Sequence, residues 1–111
     1  MIKMKTMPQE PVSHLRTLGG RIRIARKRRG LTLRELAARA GVAPNTLLAL
    51  ERGRPTPSIG VLATVLWLLG LDGGFASLAD PDADAHGKAL ELSRTPKRVR
   101  KLQTDRTLDD F

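Results

Sequence analysis

The sequence predicts an all-α protein built on a five-helix domain, and three observations carry that reading. Apolar residues recur at three- and four-residue steps along successive segments, which is the period of a helix with one buried face. Start and stop signals bracket each segment, and residues 30–53, GLTLRELAARAGVAPNTLLALERG, spell a capped helix, a glycine turn and a second short helix.

The elements follow in order. Residues 1–12, with Pro8 and Pro11 and little apolar periodicity, read as a flexible arm. A first helix over about 13–29 places Leu15, Leu18, Ile22 and Ala25 on one face, and Gly30 caps it. Thr32 followed by Glu35 is a capping box that opens the second helix, whose apolar stripe is Leu33, Leu36, Ala37 and Ala40. Gly41 supplies the positive φ that ends it and turns the chain within three residues. Pro44 suits the first turn of the third helix, where its missing amide costs nothing. In that helix Leu47 and Leu50 face inward and Gly53 gives the stop. By elimination Pro44, Asn45, Leu48, Ala49 and Arg52 point away from the core.

Residues 54–58, RPTPS, form a loop from which Ser58 caps a fourth helix, expected to bury Ile59, Leu62, Ala63, Leu66 and Leu69. Trp67 stands one position off that face; it either finishes the core or, left at its edge, meets a second subunit. Phe75, Leu78 and Ala79 are assigned to a short fifth helix that lids the core or pairs with a second copy. The domain is thus expected over 13–79. Beyond it, residues 80–111 change character: an acidic, turn-rich linker at 80–86, a short candidate helix at 88–93, and the basic run TPKRVRK at 95–101.

Composition narrows the function classes. A chain of 111 residues holds one small domain plus tails. It has no cysteine, which removes a disulfide scaffold and thiolate metal sites. No apolar run approaches the roughly 20 residues a membrane span needs, and the first residues lack the apolar core of a signal peptide. The chain therefore reads as cytoplasmic, with no membrane association.

Charge is the second strong signal. Residues 16–54 carry eleven Lys or Arg against Glu35 and Glu51, a local +9 that equals the formal charge of the whole chain. A basic surface focused on a pair of short helices is what neutralising a phosphate backbone requires. The plainer reading, in which Arg23 and residues 27–29 are only a solvated helix face, loses ground beside that helical pair.

Residues 18–71, about half the chain, closely resemble the helix-turn-helix domain of the Cro/phage-repressor (XRE) group of transcriptional regulators. The likeness rests on GLT-x-x-ELA, the AGV turn, the LERG helix end and the PS-capped fourth helix. It implies a dimer on a roughly palindromic double-stranded operator, with the third helix in the major groove. It also implies that Arg26 pairs with Glu51 as a buried strut, although the residues by themselves place Arg26 in the surface run. The segment 80–100, DPDADAHGKALELSRTPKRVR, is similar to the C-terminal part of HipB-like antitoxins, which bind DNA and also hold a HipA-like kinase toxin. That likeness implies an antitoxin that represses its own operon; the alternative is a stand-alone regulator.

The reading positions are Pro44, Asn45, Thr46, Leu48 and Ala49. Of these, Asn45 alone offers the bidentate amide that selects adenine, while Leu48 and Ala49 suit thymine methyls. This departs from the usual pattern, in which bidentate Gln, Asn or Arg contacts distinguish base pairs most sharply, so much of the selectivity is expected from dimer spacing and DNA shape. By the same resemblance Thr32, Arg34, Arg52 and Arg54 approach phosphates, whereas Lys27, Arg28 and Arg29 act through their field.

An enzyme is not expected. His14 and His86 lie in an arm and a linker, and the glycine pairs at 19–20 and 73–74 lack phosphate-loop spacing. Asp80, Asp82 and Asp84 match the first half of a calcium loop, but the sixth place is Ala85 and His86 and Gly87 break the order. No cofactor or metal is assigned.

Overall fold

Local chemistry sets the helix ends. In the structure, a computed structural model that describes residues 6–94, Thr32 Oγ1 accepts from the Glu35 amide at 3.1 Å, and Glu35 Oε1 accepts from the Thr32 amide at 2.8 Å. This reciprocal cap starts α2, Leu33–Ala40. Ser58 Oγ likewise accepts from the Val61 amide and starts α4, Ile59–Leu68. The helix between them, α3, is Pro44–Glu51, with proline in its first turn and no side-chain cap.

The first four helices stop by one device. After α1 (Gln9–Arg28), α2, α3 and α4, a left-handed glycine returns its amide to the last turn and the next residue reaches one carbonyl further back. At α2 these bonds are Gly41 N to Ala38 O and Val42 N to Ala37 O, at 3.1 and 3.0 Å. The tight reversal this gives sets α3 against α2 within three residues.

Helices α1 to α4, with the one-turn α5 (Asp72–Ala76), make a unit that ends at Ala76. Helix α3 packs on both α1 and α2, and α4 packs on α2 and α5. The centre of the core is Ile22, Leu36, Leu47, Val65 and Leu69, each at most 2% exposed. Burial of each such side chain contributes about 1.5–3 kcal/mol. Phe75 packs against this cluster from α5.

The second unit begins at Ser77, and its described part holds a 3-10 turn, Pro81–Ala83, and a helix, α6, Ala85–Arg94. Among the described residues of this unit every hydrophobic side chain is exposed, Leu78, Leu90 and Leu92 included. Asp80 Oδ1 accepts from the Asp82 amide and Asp84 Oδ1 from the Gly87 amide, so these two carboxylates serve as turn and helix caps. Among the described residues the protein has six α-helices and no strand.

Several boundaries differ from those expected from sequence. Helix α1 begins at Gln9, inside the supposed arm, because prolines at the N-cap and in the first turn remove only amides that a helix leaves unpaired. Val12, placed in the arm, is buried. Of the face expected for α4, Leu66 and Leu69 are buried and Leu62 and Ala63 half-buried, but Ile59 is 73% exposed and Val65, not expected inside, is fully buried. In a helix that reads IGVLATVLWL, apolar nearly throughout, no period marks the inner side. Trp67 is 65% exposed and does not complete the core. Helix α5 stops at Ala76, leaving Leu78 and Ala79 outside it. Helix α6 extends three residues N-terminal to the expected 88–93, started by Asp84. The basic run 95–101 and the first five residues of the arm lie outside the described residues.

Candidate nucleic-acid interface

The position of α3 is fixed from behind. Arg26 of α1 donates from Nε to Glu51 Oε2 at 2.7 Å and from Nη2 to Glu51 Oε1 at 3.1 Å. Its third donor, Nη1, reaches the Leu31 carbonyl at 2.9 Å. One buried guanidinium thus ties α1 to the end of α3 and to the approach to α2. Hydrogen bonding to Glu51 raises its pKa above the ordinary arginine value, against the opposing effect of burial, so it stays charged. Among the described residues no buried side-chain polar atom lacks a partner.

Two glycines allow the close crossing. A β-carbon at Gly19 would stand 2.5 Å from the carbonyl oxygens of Leu50 and Glu51. At Gly53, just past α3, it would stand 2.6 Å from the Arg16 Cα. Sequence reading marked Gly53 as a helix stop and gave Gly19 no role; only the tertiary contact explains the latter.

The opposite side of α3 is open. Pro44, Asn45 and Arg52 are exposed, and Thr46, Leu48 and Ala49 are half-buried, while Leu47, Leu50 and Glu51 turn inward. Thr32 and Arg34 are exposed at the start of α2, and Arg54 is exposed in the loop after α3. The Thr32 amide is already taken by Glu35, so a contact from Thr32 to an external oxyanion falls to its hydroxyl. A cleft joins some of these residues: Leu33, Leu48 and Arg52 line it together with Arg23. Arg34, Arg54 and Asn45 are not part of it.

The charge balance follows from these bonds. Of the two acids in residues 16–54, Glu51 is occupied by Arg26 and Glu35 by the cap of α2. Among the described residues neither forms an ion pair with an exposed arginine. The Thr32 amide and then the Thr32 side chain hold the Glu35 carboxyl below its ordinary range, with the Arg39 charge adding to the effect, so it is ionised at neutral pH. Arg29 Nη1 turns back to the Ala25 carbonyl at 2.8 Å, and Lys27 and Arg28 stand exposed beside it.

Two short helices locked at a glycine turn, the second with a free outer face flanked by unneutralised arginines, define a helix-turn-helix unit. Residues 17–76 match the helix-turn-helix domain family, and the chain belongs to that family. An HTH-type transcriptional regulator of Methanothermobacter thermautotrophicus is 53% identical over 45 residues, 40% of this chain and 61% of that relative. The HTH-type transcriptional regulator y4mF of Sinorhizobium fredii is 43% identical over 53 residues, 48% of this chain and 70% of that relative. Among solved structures, a chain of a SinR protein/SinI protein complex is 28% identical with a TM-score of 0.45, covering 82% of this chain and 95% of that one.

Proposed function

We propose that the protein is a sequence-specific DNA-binding transcriptional regulator, a repressor, that places α3 in the major groove of a double-stranded operator. The observation that carries this reading is the pairing of the open α3 face with a cationic surround whose two acids are both consumed internally. In this reading Asn45 selects an adenine, Leu48 and Ala49 meet thymine methyls, and Pro44 and Thr46 border them. Thr32, Arg34, Arg52 and Arg54 hold the phosphates on either side.

The protein acts as a homodimer, which gives the operator its two-fold symmetry. Exposed Trp67 is the residue we assign to the subunit contact. Binding of duplexes from the protein's own promoter region, at low ionic strength, tests the reading. Asn45→Ala should then lose affinity at one base position only. A loss equal for every base there removes the adenine assignment, and no duplex binding at all removes the function.

The second unit supports a finer reading, a HipB-like antitoxin that represses its own operon and holds a HipA-like kinase toxin. Its support is the exposed Leu78, Leu90 and Leu92 in a segment with no buried residue among those described, as a partner-binding element would present. Removing residues 80–111 should leave operator binding intact and abolish capture of a kinase encoded beside it. If the truncated chain still holds that kinase, or no such neighbour exists, the stand-alone regulator is the function.

A further inference from the structure

The cleft beside α3 has a volume of about 520 Å³, within the range of sites that hold a small ligand or one unit of a larger one. The Arg26–Glu51 pair lines it, Leu33 and Leu48 add apolar wall, and Arg23 and Arg52 contribute two further guanidinium groups. Both of these arginines are exposed, and neither has an acidic partner among the described residues. Glu51 cannot serve them, since both its oxygens already accept from Arg26. Three guanidinium groups therefore face one carboxylate, which leaves the cleft cationic.

Its location gives that charge a direction. Leu33 lies between Thr32 and Arg34, and Leu48 belongs to the outer face of α3. The cleft is therefore continuous with the surface assigned to DNA. Gly20, on the α1 side, leaves the space open: a β-carbon there would meet nothing within 4 Å.

We infer that Arg23 and Arg52 clamp one backbone phosphate of the bound duplex in this cleft, with Leu33 and Leu48 against the adjoining sugar. The inference rests on the DNA-binding reading and makes Arg23 a positioning residue. Guanidinium forks from two helices, α1 and the end of α3, match an oxyanion better than a single flexible cation does. The bound phosphate would add a second tie between α1 and α3 beside the Arg26–Glu51 pair.

The test uses the full chain and labelled duplexes, with binding followed over a salt series. Arg23→Gln should weaken specific and non-specific duplexes alike and lower the slope of log affinity against log salt by about 0.9. Gly20→Glu, which puts a carboxylate at the mouth of the cleft, should do the same. Arg21→Gln removes an equal charge from a part of α1 that lines a different groove, with Ile24 and Leu71, and should leave the slope unchanged. Unaltered melting of each variant shows that the fold is kept.

If Arg23→Gln and Arg21→Gln act alike while the wild type binds, the clamp is overturned and the DNA reading stands. A wild type that ignores duplexes overturns both. Inorganic phosphate without DNA should barely shift the Arg23 side-chain resonance; a shift as large as that caused by duplex makes the cleft a site for a free phosphate ester and overturns the duplex assignment.

Discussion

Gly19 of α1 and Glu51 of α3 approach so closely that no side chain fits between them: a β-carbon on Gly19 would stand 2.5 Å from the Glu51 carbonyl oxygen. The neighbouring Gly20 has open space at the same radius. Gly19→Ala must therefore push α1 off α3 and should cost at least about 1–3 kcal/mol. Gly20→Ala gains helix propensity and should stabilise by roughly 0.5–1 kcal/mol. Thermal melts of the two variants, followed by circular dichroism, should move in opposite directions.

The Arg26–Glu51 pair joins the same two helices from within. Removing one member leaves the other charge buried without its partner. Arg26→Ala or Glu51→Ala should each cost about 3–5 kcal/mol. The combined replacement Arg26→Met with Glu51→Leu should cost much less than the sum, since it strands no charge. Urea denaturation of the single and double variants checks this.

Acid should weaken the start of α2. The folded Glu35 carboxyl titrates below its ordinary value of 4.5, so its contribution to stability is complete above that pH and is lost as pH falls through the lower, folded value. Wild type should be more stable than Glu35→Ala at neutral pH, and the gap should close under acid. A gap that stays constant down to strongly acidic pH would show that the ionised carboxylate is not what the cap needs.

Arg54, exposed just beyond α3, is assigned to a phosphate. Arg54→Gln should weaken all duplexes to a similar degree and reduce the salt slope by about one. An unchanged slope means that Arg54 touches no phosphate. Comparing operator and unrelated duplexes separates this from a loss of base readout.

Much of the unit up to Ala76 was legible in the sequence because its signals are local. Thr32 and Glu35 announce their cap within four residues, and Ser58 and Gly41 act over similar spans. The errors fall where the deciding partner is distant or the pattern is uniform. Nothing near Gly19 reveals that α3 will cross it some thirty residues later. The apolar run of α4 offers no polar side by which to orient it, so Leu66 and Leu69 are legible as core while Ile59 is wrongly expected inside and Val65 is missed. Pro8 and Pro11 signal a break by residue type yet are harmless in a first helical turn, which shifted the start of α1. The partnership of Arg26 with Glu51 came through family resemblance, since spacing alone placed Arg26 on the surface. Arg23 reads from sequence only as part of a general basic surface, because its particular place depends on a cleft built from three helices.

Trp67 is the chain's one tryptophan, and tyrosine is absent. Practically all intrinsic ultraviolet emission therefore originates from a single indole on the outside of α4, 65% exposed in the single chain. Unfolding of a lone protomer will barely change its colour, so any red shift on denaturation reports loss of the cover over Trp67 rather than loss of the fold. Whatever covers that flank of α4 will shift the emission to the blue, which turns this indole into a built-in reporter of association.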